Sequence, residues 1–186
     1  MNDYTALLDR IRFAPKPLVV AIDGRAASGK TTLAGIIERE FGAAVIHTDD
    51  FFLPPGLRTP ERLSEAGGNV HYERLKDEVI NNLKSQSGFS YGVFDCGKMA
   101  VTDTAFVEYS PVTVVEGSYS CHPYLGDYAD LRVFLTVEPD DQLQRITARN
   151  GAEKAAVFKE KWIPLEEKYF DSFPIKENAH FTYGGV

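Results

Sequence analysis

Residues Gly24-Arg-Ala-Ala-Ser-Gly-Lys-Thr31 decide the reading of this chain, because they fit the pattern G-x-x-x-x-G-K-S/T at every fixed position. The spacing has a chemical reason. The glycines let consecutive backbone N–H groups turn inward around a polyphosphate, the lysine reaches the outer phosphate oxygens, and the hydroxyl that follows supplies a ligand for Mg²⁺. A helix starting just after the loop adds the positive end of its dipole. Short patterns also arise by chance, so the neighbours must agree with this one. Upstream, Leu18-Val-Val-Ala-Ile22 is the continuous apolar run of a strand buried on both faces; downstream, Leu33, Ile36, Ile37 and Phe41 recur at helical spacing before Gly42. Strand, loop and helix together predict a nucleoside triphosphate site. Its expected phosphate-binding residues are Gly24, Arg25, Ala26, Ala27, Ser28, Gly29, Lys30, Thr31 and Thr32, with Thr31 also a metal ligand.

Further apolar runs at 43–46, 112–115, 131–137 and, more weakly, 179–183 alternate with helical patterns at 31–41, 72–83 and 139–150, the last stopping at Gly151. That alternation predicts a three-layer α/β fold with a mostly parallel central sheet of about five strands. In such sheets ligands sit beyond the carboxyl ends of the strands, which directs attention to Asp23-Gly24, His47-Thr-Asp-Asp50 and Glu116-Gly117. The pattern lapses over 51–70 and again over 85–103, where Tyr91, Phe94, Asp95 and Lys98 lie. Long irregular stretches inside a domain are usually functional, and these two are expected to form a flap over substrate. After Gly151 comes a helix over 152–163, with Pro164 opening another; the stripe of Phe158, Trp162, Leu165, Tyr169 and Phe170 reads as core.

Composition narrows the function. The 186 residues suit one domain, 1–186, with no linker or repeat, and a net charge of −7 argues against nucleic acid or anionic membrane as the main partner. The first residues lack a basic region followed by an apolar core, and no run approaches the roughly 20 apolar residues of a membrane span, so a cytoplasmic protein is expected. A homo-oligomer stays open. Cys96 and Cys121 stand far apart and His47, His71, His122 and His180 show no metal-ligand spacing. There is no Asn-Lys-x-Asp guanine-reading motif, which disfavours a GTPase switch.

Phosphoryl transfer to an alcohol needs positioning, neutralisation of phosphate charge and an acceptor for the hydroxyl proton. Lys30 and Thr31 supply part of the first two. Glu116, closing the run at 112–115, stands where a carboxylate would join the Mg²⁺ shell. Asp49 and Asp50 follow the second strand; adjacent acids point in different directions, so one is the base and the other an anchor. Arg145 and Arg149 lie one helical turn apart and could fold over a triphosphate, although arginines at this spacing also serve as a solvated face.

With these residues laid out, the chain resembles the uridine kinase and phosphoribulokinase group of P-loop kinases, particularly its uridine kinase-like and nicotinamide riboside kinase-like members. The carriers are Ile22-Asp-Gly-Arg-Ala-Ala-Ser-Gly-Lys-Thr-Thr32, Thr48-Asp-Asp-Phe-Phe52, Val115-Glu-Gly117 and the stretch 140–149, which is similar to the entry of the family's helical lid. The resemblance implies a P-loop NTPase fold with a helical lid. It implies ATP and Mg²⁺ as cofactors, Asp49 as catalytic base beside Lys30, Phe52 as an aromatic of the acceptor pocket, Glu116 in the magnesium shell, and Arg145 and Arg149 as lid arginines. One departure stands out. In Gly68-Asn-Val-His-Tyr-Glu-Arg74 the family pattern leads one to expect an aspartate near His71 to hold ribose hydroxyls, and a histidine changes both charge and hydrogen-bond character. The lid is also short in arginines, with Lys154 or Lys161 available as supplements. His71, Arg74 and Tyr91 are the remaining candidate acceptor contacts, unless His71 caps the helix beginning near Tyr72. The implied activity is transfer of the ATP γ-phosphate to a small hydroxyl compound, a nucleoside 5′-hydroxyl first, a pantothenate-like or sugar alcohol second. The rival from another class is a regulatory module that binds ATP without transferring phosphate.

Overall fold

The computed structural model describes residues 2–184. Its strands are β1 (Leu18–Gly24), β2 (Ala44–His47), β3 (Phe89–Asp95), β4 (Ala100–Val107), β5 (Val112–Glu116), β6 (Leu131–Thr136) and β7 (Phe181–Gly184). Its helices are α1 (Thr5–Phe13), α2 (Lys30–Phe41), α3 (Pro60–Ser64), α4 (Tyr72–Arg74), α5 (Pro139–Asn150), α6 (Ala152–Val157) and α7 (Ile163–Ser172). After α4 the chain continues helically through a wide turn, Leu75–Val79, and a tight one, Ile80–Asn82. A wide turn likewise joins α6 to α7, with Pro164 in the first turn of α7 as the sequence predicts.

The main sheet runs β2-β5-β1-β6-β7 with every pairing parallel. β1 holds the middle because all its residues are buried and it offers no face to water. The period of two then builds the layers. Leu18, Val20 and Ile22 face one core with Leu7, Ile11, Leu33 and Ile37 from α1 and α2. Val19 and Ala21 face the other, with Phe51, Leu75, Val79, Phe134 and Tyr169. The expected fold class is therefore the observed one. No helix among the described residues is long and apolar enough to cross a membrane.

Two elements differ from expectation. The stretch 85–103 is ordered as part of an antiparallel hairpin of β3 and β4, with a bulge at Val93/Phe94, and Tyr91 and Phe94 are buried beneath it. Its outer strand is mostly exposed, so no apolar run announces it. Helix α1 buries only Leu7 and Ile11, too sparse a stripe to read as a helix alone. The segment 51–70 carries α3 and short 3-10 turns, and an isolated bridge between Phe52 and Val70 closes its two ends together.

Gly24 ends β1 against β6 with φ 137°, and a Cβ there would sit 1.9 Å from the Leu135 carbonyl oxygen. Only glycine allows this approach, because the obstacle is backbone of the neighbouring strand and cannot swing aside. Gly24→Ala is expected to cost at least about 2 kcal/mol of stability. A thermal or urea unfolding curve matching that of the parent would show that the two strands separate more readily than their pairing suggests.

Candidate active site

The phosphate loop spans the gap between β1 and α2. Gly29 caps α2 at φ 104° and Ala27 is held at φ 59°, a left-handed conformation unusual for a residue with a Cβ. Lys30 is 8% exposed. Its Nζ donates to the carbonyls of Gly24 at 2.7 Å and Arg25 at 2.8 Å, and lies 3.5 Å from Ser118 Oγ. The ammonium thus braces the loop's own backbone as well as facing the cleft. Arg25 departs from its expected place among the phosphate contacts: its guanidinium turns to Glu167, with bonds of 2.6 and 2.7 Å, and to Thr136 Oγ1 at 2.6 Å. Gly24 and Ser28 also lie outside the cavity walls, Gly24 lending its carbonyl to Lys30 and Ser28 being buried in the loop.

Beyond the loop, β5 ends in Glu116, 4% exposed. Its Oε1 accepts from Thr31 Oγ1 at 3.0 Å and meets His47 Nδ1 at 2.6 Å. That contact, the largest cause, raises the His47 pKa above its ordinary value. A hydroxyl and a carboxylate brought together at a helix start are a hard-oxygen pair of the kind Mg²⁺ takes while keeping water and phosphate ligands. Thr31 and Glu116 are the residues that would hold it.

Asp49 reaches the same cleft from a 3-10 turn, Thr48–Phe51, which Thr48 pins by donating to the Ser118 carbonyl at 3.0 Å. Loss of water around the carboxyl, with Glu116 and Asp50 as like charges, raises the Asp49 pKa, while Lys30 and His47 pull it down. Asp50 faces the other way and accepts from Tyr91 Oη at 3.0 Å, so it anchors the hairpin.

These groups line one cavity of about 350 Å³. Its floor is the loop from Ala26 to Thr32, apart from Ser28, with Asp49 and Glu116 opposite. Phe52, Asn69, Val70 and Tyr119 form one wall; Arg145, Arg149, Phe158, Trp162 and Glu166 form the other. Arg145 Nη1 lies 3.3 Å from the Ala27 carbonyl, and Arg149 Nε donates to Asn150 Oδ1 at 2.8 Å. Phe158 and Trp162, expected as core, prove to be cavity wall, because the helix from 152 to 172 packs its C-terminal half inward and leaves these two at the rim. Lys154 and Lys161 are exposed and do not line the cavity.

Three expected acceptor contacts stand elsewhere. His71 begins α4 as its cap, Nδ1 accepting from the Arg74 N–H at 3.2 Å, and burial lowers its pKa so that a neutral ring can accept. Arg74 bonds Glu78 at 2.7 and 3.1 Å and the Gly92 carbonyl, with its guanidinium over Phe51. Tyr91 packs against Phe51 and serves Asp50. None of the three lines the cavity. Residues the sequence did not single out do line it: Ser118 and Tyr119 follow Glu116-Gly117 at a strand end and were open to discovery there, whereas Asn69 and Glu166 carry no local signal.

Asp23 completes the site from beneath. It is fully buried and accepts from the N–H groups of Gly24, Tyr119 and Cys121 and from Tyr169 Oη, at 2.7 to 3.1 Å. Burial raises its pKa, and the donors with Lys30 act the other way.

A raised His47 pKa means that the His47–Glu116 attraction is fully present below the ordinary value of 6.5 and is lost as pH rises through the raised one. NMR titration of the ring should give a midpoint above 6.5 in the parent, falling in Glu116→Gln. A midpoint unmoved by that substitution would assign the shift to other neighbours.

Comparison with known proteins follows the same direction. No protein-family profile matches the chain. It is 25% identical over 183 residues to uridine kinase of Ureaplasma urealyticum serovar 10, covering 91% of this chain and 88% of that one. It is 32% identical over 104 residues to human nicotinamide riboside kinase 1, spanning 55% of this chain and about half, 49%, of that relative. Among solved structures, a candidate uridine kinase from Bacillus stearothermophilus superposes with a TM-score of 0.71 at 20% identity over 96% of this chain and 95% of that one. A candidate fructose transport system kinase from Silicibacter sp. TM1040 gives 0.70 at 20% identity over 98% and 100%. The chain has the P-loop kinase fold, and its sequence relatives, a uridine kinase and a nicotinamide riboside kinase, bear out its resemblance to the uridine kinase-like P-loop kinases.

Proposed function

We propose that the chain is an ATP-dependent kinase that transfers the γ-phosphoryl group to a hydroxyl of a small molecule, a nucleoside 5′-hydroxyl being the favoured acceptor. The observation that carries this reading is the presence of Asp49 in the same cavity as the phosphate loop, Glu116 and two arginines. A pure Mg·ATP binder has a use for Glu116 but none for a second carboxylate facing the phosphates, whereas a transferase does.

In this reading the loop N–H groups and Lys30 hold the triphosphate, and Arg145 and Arg149 offset charge on the group in flight. Mg²⁺, held by Thr31 and Glu116, would supply neutralisation of the phosphate oxygens. Asp49 takes the hydroxyl proton as the acceptor oxygen bonds to the γ-phosphorus and the bond to the β-bridging oxygen breaks, releasing ADP. Burial, by raising the Asp49 pKa, makes this carboxylate a better proton acceptor than a solvated one. For the acceptor, Phe52, Val70 and Tyr119 offer aromatic and apolar lining and Asn69 a polar group, which suits a base or nicotinamide ring more than a polyol. The names of the sequence relatives point the same way.

The decisive experiment is ADP release with ATP across a panel of nucleosides, nicotinamide riboside, sugars and pantothenate. Asp49→Asn should lower turnover by about 10²-fold or more with little change in ATP affinity. Full activity in that variant would move the base elsewhere, and no turnover on any acceptor would favour a binding module. Lys30→Ala should lose Mg·ATP binding, and it should also melt earlier than the parent because two loop carbonyls lose their donor. His71→Asp should leave acceptor preference unchanged, since aspartate caps a helix equally well; a gain in nucleoside use would return residue 71 to the pocket.

A further inference from the structure

The mechanism leaves one buried carboxylate of the cleft without a task. Glu166, 5% exposed, rises from α7 into the phosphate loop. One oxygen, Oε2, accepts from the Ala26 N–H at 3.0 Å, and the other, Oε1, accepts from Ser118 Oγ at 2.6 Å. Ser118 has a single hydroxyl proton, and the carboxylate is nearer than its alternative, the Gly24 carbonyl at 3.4 Å. The proton therefore goes to Glu166, and the serine lone pairs face Lys30 Nζ at 3.5 Å. At the other backbone group of the same residue, Gln142 Nε2 of α5 donates to the Ala26 carbonyl at 3.1 Å. Both backbone polar groups of the residue before the left-handed Ala27 are thus gripped by side chains of α7 and α5.

We infer that Glu166 is a positioning residue of the nucleotide site: with Gln142 it fixes the two peptide groups that flank the Ala26 Cα, and through Ser118 it places Lys30, so the loop's shape depends on the seating of α7. The inference rests on the proposed reading that this cleft takes Mg·ATP. Because Glu166 already occupies the Ala26 N–H, the phosphate-facing donors are those from Ala27 onward.

The neighbouring Glu167 supplies the control. It joins the same helix to the same loop through Arg25 but does not line the cavity. If Glu166 mattered only as a fastening for α7, the two acids would behave alike. Binding of Mg·ADP to the full chain, measured by titration calorimetry, separates the cases without needing the acceptor. Glu166→Ala should weaken Mg·ADP by about tenfold or more, the worth of a lost hydrogen bond to a charged group. Glu166→Gln should stay within about threefold of the parent, because its amide oxygen still accepts from Ala26 and its amide N–H still reaches Ser118. Glu167→Ala should lower the melting temperature while leaving Mg·ADP affinity within about twofold. Should Glu166→Ala fail to fold, Ser118→Ala carries the test, with a loss of about threefold or more expected. Parent-like affinity in Glu166→Ala, or in Ser118→Ala where that variant stands in, overturns the inference, as do equal losses from both acids or failure of glutamine to rescue. A parent that does not bind Mg·ADP overturns the functional reading itself.

Discussion

The structure depends on a carboxylate that never meets substrate. Asp23 sits at the end of the central strand with no exposure, and its oxygens collect three backbone N–H groups and a tyrosine hydroxyl. A buried acid is costly unless its lone pairs are filled, and these are filled from three separate pieces of chain: the phosphate loop, the turn after β5 and helix α7. Each piece carries residues of the cleft. Asp23 therefore converts three loosely related segments into one frame, and removing it would leave several buried N–H groups orphaned at once.

The central sheet was legible because parallel strands buried on both faces must be written as apolar runs, and few other structures need them. Lys30, Thr31, Glu116 and Asp49 were legible for a related reason: they lie at the ends of those runs, where the sheet delivers whatever follows. The hairpin of β3 and β4 was not, since β4 faces water and Gly92 interrupts the alternation of β3. His71 shows a different limit. Its place in the sequence matched an acceptor contact, but the helix that starts after it claimed the ring as a cap. A local hydrogen bond of this kind is decided by backbone direction, which spacing alone does not report. Glu166 and Asn69 reach the cavity only through tertiary packing, and no pattern around either residue foretells it.

Charge in the cleft is finely divided. The chain as a whole is acidic, at −7, and Asp49, Glu116 and Glu166 add three carboxylates beside one lysine and two arginines. Such a site is built to take a polyanion through direction more than through net charge: loop N–H groups and a helix start open onto it beside fixed cations, while Glu116 and Glu166 are engaged by hydroxyls, an imidazole and a backbone N–H.

The cavity takes its lining from two regions of different origin, and the bridge between Phe52 and Val70 belongs to the second. The loop, Glu116, Arg145 and Arg149 belong to the sheet and the helices that cover it. Phe52, Asn69 and Val70 belong to a segment whose ends are clasped to each other before it rejoins the fold. A segment closed at its base behaves as a replaceable module. Its interior can be lengthened, shortened or rewritten while the clasp holds, and the strands beneath it keep their register. Because this segment lines the cavity through Phe52, Asn69 and Val70, at the clasp and not in the interior, such edits leave the wall of the cavity in place.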